Sequence, residues 1–112
     1  MYKLRVSEWS CGPGPGGEMV ARGAVINQSG RTLNNVRVNL RMVDSNVTTV
    51  DGVPNRRVYG TNSAPIAVRY LASAASSRFE VRVKPTRSQG VQCQIWFRSP
   101  GITQIPTLVP ER

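Results

Sequence analysis

Arginine dominates the chemistry of this chain. Arg37 and Arg41 share one face of an alternating stretch, Arg78, Arg82 and Lys84 share one face of another, and Arg56-Arg57 adjoin in an irregular segment. Rows of guanidinium and ammonium groups bind carboxylates, sulfates or phosphates. The net charge of +9, from 15 Lys+Arg against 6 Asp+Glu, favours anionic partners such as nucleic acid, acidic glycans or lipid head groups. If the two strands that carry the rows are neighbours in one sheet, their outer face is a continuous basic stripe. The competing reading is a set of solvated strand faces, where arginine also blunts sheet-edge pairing. Single-strand binders need stacking platforms, and Trp9, Trp96, Tyr59 and Tyr70 are few. Nucleic acid therefore ranks behind a protein partner or self-assembly.

Catalysis is not expected. The chain has no histidine, which removes the commonest general base, the Ser/His and Cys/His pairings and the commonest transition-metal ligand. Asp44 and Asp51 lie in adjacent turns, but Ser45–Val50 between them adds no further acid for a calcium loop. Gly12-Pro13-Gly14-Pro15-Gly16-Gly17 matches the spacing G-x-G-x-x-G only formally. Pro13 and Pro15 lack the amide protons that cradle phosphate, and a strand follows where that motif requires a helix. No cofactor or metal is expected. Asn27-Gln28-Ser29 and Asn46-Val47-Thr48 are acceptor triplets for N-glycosylation, too short to build upon.

Cys11 and Cys93 are far apart in sequence, and two facing strands can bring them together. A disulfide is expected over two buried thiols, and it places the domain outside the reducing cytosol. No run of about 18 apolar residues exists, so no membrane span is expected. Tyr2–Val6 is too short and too charged for a signal peptide; an exported form needs its targeting segment ahead of Met1.

The elements that position these residues read as β-strands. Tyr2–Trp9 alternates, with Tyr2, Leu4 and Val6 on one face, and Cys11–Gly17 is a rigid turn. Met19–Asn27 is apolar on both faces, and Leu33–Val43 sets Val36, Val38, Leu40 and Met42 inward against Arg37, Asn39 and Arg41. A short strand follows at Val47–Val50, then a long loop at Val53–Pro65, a short strand at Ile66–Leu71 and a helical turn at Ala72–Ser77. Arg78–Lys84 and Val91–Phe97 alternate cleanly, joined by a turn at Pro85–Gly90. Residues 1–98 form one domain, and 99–112, with three prolines, an extended tail or linker. About seven short strands without a convincing helix indicate an all-β, immunoglobulin-like antiparallel sandwich; a small oligonucleotide-binding barrel is second, since its five strands leave two runs unassigned.

Gly23-x-Val25-x-Asn27, Ser29-Gly30, Leu33, Asn35-Val36 and Leu40-Arg41-Met42-Val43-Asp44 resemble the core pattern of the FxLYD domain family. Gly52, Leu71 and Phe79-Glu80-Val81 extend the likeness over roughly Val20 to Val83. Leu40, Met42 and Val43 stand where the naming motif has Phe, Leu and Tyr. The resemblance implies a non-catalytic immunoglobulin-like domain of prokaryotic surface proteins and lipoproteins, with no catalytic residue or ligand to carry over. The functional expectation is a cell-surface or periplasmic interaction module that binds or assembles with protein partners. A structural or decoration subunit of a virion or filament is the alternative, and single-stranded nucleic-acid binding is third.

Overall fold

The computed structural model describes residues 2–45, 48–50, 53–55, 57–87, 89–100 and 104–110, with backbone alone at 48–50 and 53–55. Its strands are β1 (Leu4–Pro13), β2 (Met19–Asn27), β3 (Leu33–Asn34), β4 (Arg37–Asp44), β5 (Thr48–Val50), β6 (Val53–Asn55), β7 (Val58–Pro65), β8 (Tyr70–Leu71), β9 (Ser76–Val83), β10 (Val91–Arg98), β11 (Gln104–Ile105) and β12 (Thr107–Leu108). They form a β-sandwich of two four-stranded sheets. The first sheet has the order β12-β1-β2-β9 and the second β11-β10-β4-β7; β3 pairs with β8 and β5 with β6. Ladders within each four-stranded sheet are antiparallel except β1 with β12, which is parallel.

Alternation builds the core. Val38, Leu40 and Met42 of β4 are fully buried, as are Val25 of β2 and Phe97 of β10. Phe79 of the first sheet meets Phe97 of the second edge-on, with ring centroids 5.3 Å apart and planes at 85°, a favoured aromatic geometry.

The path of β1 departs from the simple reading. Leu4 and Val6 point inward, and strict alternation would turn Cys11 outward. A bulge between Val6 and Glu8 inserts an extra residue and shifts the inward parity to Trp9 and Cys11. Cys11 then faces Cys93 of β10 and bonds to it, with Cα atoms 6.5 Å apart, joining the two sheets. Beside the bulge sits Gly23, where a Cβ would lie 2.8 Å from the Trp9 Cα and collide with the Glu8 carbonyl oxygen. Gly23→Ala is expected to destabilise the fold by about 1–3 kcal/mol, the range of overpacking substitutions. Urea unfolding measures this directly, and an unchanged midpoint would contradict the close crossing.

Three sequence expectations are corrected here. The strand β1 continues through Cys11, Gly12 and Pro13, so the turn shrinks to Gly14–Glu18, closed by the Gly14 amide donating to the Glu18 carbonyl at 2.8 Å. Val58–Pro65, read as part of a loop, is the edge strand β7, paired with β4 through most of its length. Its side chains lack apolar alternation because its outer side and much of its face are solvent-exposed. No helical turn forms at 72–77; a tight turn with Ala74 at φ +68° leads directly into β9.

The residues beyond 98 are extended but are not a free tail over 104–110. β11 adds to β10 at Phe97 and Arg98, and β12 adds to β1 at Leu4 and Arg5. Buried Ile105 belongs to the core cluster, and Trp9 Nε1–H donates to the Pro110 carbonyl at 2.8 Å. A short segment thus crosses from one sheet to the other and closes that flank of the sandwich.

Candidate anion-binding face

The two outer faces of the sandwich carry arginine in different company. On the first sheet, Arg22 of β2 lies directly across from Glu80 of β9, with an N–O distance of 3.6 Å. Arg78 reaches Glu8 at 3.8 Å, and the two flank Ala24 in register. Arg82 holds Glu18 at 2.6 Å and Glu80 at 3.2 Å. Those carboxylates, Glu18 first, raise the Arg82 guanidinium further above its ordinary value. Exposed pairs of this type add little stability, but they neutralise the face. Among the described residues of β1, β2 and β9, Arg5 is the arginine outside this lattice.

Among the described residues, the outer face of the second sheet has no such counter-charges. Its outward side chains are Arg37, Asn39, Arg41 and Val43 from β4, Gln92, Gln94, Trp96 and Arg98 from β10, and Val58, Thr61, Ser63 and Pro65 from β7. Arg37 donates to the Ser63 hydroxyl at 3.2 and 3.4 Å. Arg41 donates to the Gln94 side-chain oxygen at 2.8 and 3.2 Å and lies 5.1 Å from the centre of the Trp96 ring. Among the described residues, every partner of these two guanidiniums is therefore neutral. Arg37 is moreover the register partner of Arg98, and like charges directly opposite each other repel. The one described carboxylate on β4 is Asp44 at its far end. It is engaged by Tyr59 Oη–H at 3.1 Å and by Arg87 at 3.4 Å.

Asn39 sits at the middle of this face. It lies opposite Trp96 on one side and Ser63 on the other, between Arg37 and Arg41 along β4. Although it points away from the core, it is only 6% exposed, and its Nδ2 has no hydrogen-bond acceptor among the described residues. Buried donors are almost always satisfied, so this amide is an open demand within the polar layer.

The expected basic stripe does not form. Arg37 and Arg41 stand on the second sheet, whereas Arg78, Arg82 and Lys84 stand on or beside β9 of the first. Strand order, which local periodicity does not encode, separates the two rows onto opposite outer faces. Arg57 belongs to a third patch, 5.8 Å from the Tyr59 ring that Arg87 also approaches at 5.4 Å; Arg56 lies outside the described residues. Arg98, Gln94 and Asn39 were not singled out in sequence. Their signal is positional: each shares outward parity with Arg37, Arg41 or Trp96, and becomes visible only once β4 and β10 are known to pair.

The remaining candidates resolve in simple terms. Asp51, Asn46 and Val47 lie outside the described residues, and Thr48 is described by its backbone alone. Asn27 is fully buried, with Nδ2 donating to the carbonyls of Arg31 and Leu71 at 2.7 and 2.8 Å, so its triplet is closed in the folded protein. Among the described residues no three His, Cys, Asp or Glu side chains converge as metal ligands would. No described helix is long and apolar enough to cross a membrane. Around the free flank of β10 runs an open groove of about 580 Å³, walled by Trp96 and Arg41 on one side and Trp9 and Pro110 on the other.

No protein-family model matches the chain, and no curated protein matches it. Among solved structures it is similar to part of DesR, a beta-glucosidase from Streptomyces venezuelae crystallised with D-glucose, at 15% identity and a TM-score of 0.43. That alignment covers 90% of this chain and 14% of the glucosidase, so the chain corresponds in length to a small part of that protein.

Proposed function

We propose that this chain is a non-catalytic interaction module of the cell surface or periplasm, which engages an anionic partner through the outer face of its second sheet. The observation that carries the reading is the Arg37–Arg98 pair, two cations in direct register on a face without a described carboxylate. An arrangement that is unfavourable in the free protein becomes favourable when an anion lies over both guanidiniums. The absence of histidine from the chain agrees with a binding role, as does the resemblance to the FxLYD domains. The inter-sheet disulfide suits an oxidising compartment.

The test separates face from net charge. Arg37→Gln/Arg98→Gln and Arg22→Gln/Arg78→Gln remove the same charge from opposite faces. On an immobilised polyanion, the first pair is expected to elute at clearly lower salt than the wild type, and the second close to it, because salt weakens contacts in proportion to the cations engaged. Equal shifts for both variants would mean that overall charge alone governs binding.

A further inference from the structure

We infer that the anion is an acidic polysaccharide, with a sugar ring seated on Trp96 and its carboxylates held by Arg41, Arg37 and Arg98. This rests on the assignment of the second sheet's outer face as the binding surface. Three features narrow the ligand. Arg37 and Arg41 are four residues apart on one strand, about 13 Å at the rise of an antiparallel strand, which suits carboxylates repeated along an extended polymer better than one compact anion. Trp96 is half-buried and sets an apolar ring among polar neighbours, Asn39 in register across the ladder and Arg41 over the ring. The neighbouring Gln92, Gln94 and Asn39 are planar amides able to meet hydroxyl groups as both donors and acceptors.

Together these supply what an acidic sugar needs: an indole for the C–H face of the ring, amides for its hydroxyls, and guanidiniums for its carboxylate. The present partner of Arg41 is a neutral amide. Exchange of Gln94 for a carboxylate replaces a neutral acceptor with a charged one, roughly doubling the strength of that bond. It also frees the Gln94 oxygen for a hydroxyl donor. Asn39 Nδ2, buried and without an acceptor among the described residues, lies in the same layer between the two arginines.

Other polyanions fit less well. Single-stranded nucleic acid is held by successive stacking platforms, and Trp96 is the one aromatic residue among the described outward positions of β4, β7 and β10 before Tyr59 at the far end. An added peptide strand requires a sheet edge, whereas Arg37, Asn39 and Arg41 lie on β4, which is flanked on both sides by β10 and β7.

The experiment titrates the labelled protein with an oligogalacturonate, its uncharged methyl ester, an oligo-aspartate and an oligothymidylate of equal length. It follows the indole N–H resonance of Trp96, assigned with Trp9→Phe. The oligogalacturonate is expected to shift that resonance and to bind at least about tenfold more tightly than the other three, with Trp96→Leu losing about tenfold. Equal binding of oligo-aspartate or oligothymidylate, unaffected by Trp96→Leu but weakened by Arg37→Gln/Arg98→Gln, would overturn the saccharide and leave the anion-binding face standing. If all three anions bind with no dependence on either variant, or none binds, both fail.

Discussion

Replacing Cys11 and Cys93 together by alanine is expected to lower the unfolding free energy by about 4–5 kcal/mol. The bridge spans 82 residues of sequence, and loop-closure entropy for so long a loop gives a value of that size. Much of a small domain's net stability of about 5–15 kcal/mol would be lost. In urea the midpoint should fall by about 2–4 M at the slopes usual for small proteins. Reduction of the wild type should give a similar shift, since both treatments release β1 from β10. A midpoint unmoved by either would show that the sheets are held by side-chain packing alone. The outcome also bears on compartment, because a fold that depends on this bond persists only where the bond does.

Asn27→Ala is expected to cost about 3–5 kcal/mol, far more than its size suggests. The side chain is fully buried at the end of β2 and makes four bonds. Nδ2 donates to the Arg31 and Leu71 carbonyls, and Oδ1 accepts from the Ser29 amide at 2.9 Å and the Ser29 hydroxyl at 2.7 Å. Its backbone adds two more, donating to the Ala75 carbonyl at 2.9 Å and accepting from the Ala74 amide at 2.7 Å. One residue therefore ties β2, the 28–31 turn and the 71–75 connection together. Truncation leaves a buried Leu71 carbonyl unpaired, at about 1–3 kcal/mol, besides the other bonds lost. Asn27→Asp provides a second reading. Its carboxylate would face two carbonyl oxygens, which holds its folded pKa above the unfolded value of about 3.9. The folded state then binds the extra proton, so the defect grows as pH rises from about 4 and shrinks on acidification. Thermal melts across that range check it; a pH-independent defect would mean that the side chain is not enclosed as described.

Asn27 and Ser29, read in sequence as the close of a strand and a turn signal, thereby gain a physical role. They form one polar clasp around a turn, with Gly30 at φ +87° completing it. The sandwich was legible where a strand has one face in the core and one in water. β4, β9 and β10 announce themselves through alternation, and the bond between Cys11 and Cys93 follows from two strands facing each other. β7 was not legible, because an edge strand of Gly, Thr, Asn, Ser and Ala buries too little to show a period. Nor was the bulge in β1, which inverts side-chain parity through backbone geometry rather than composition. The proposed binding face was half legible. Arg37 and Arg41 could be placed on one face of β4. That β10 supplies Arg98, Gln94 and Trp96 beside them, and that β9 lies on the opposite sheet, are facts of topology.

The central claim is that one outer face, and not the charge of the whole molecule, binds anions. Backbone amide shifts of the isotopically labelled protein, followed during titration with oligogalacturonate at physiological salt, test it most directly. The account predicts changes concentrated on β4 and β10 from Arg37 to Arg41 and from Gln94 to Arg98, with β2 and β9 unmoved. Changes centred on Arg22, Arg78 and Arg82, or spread evenly over both faces, would contradict it.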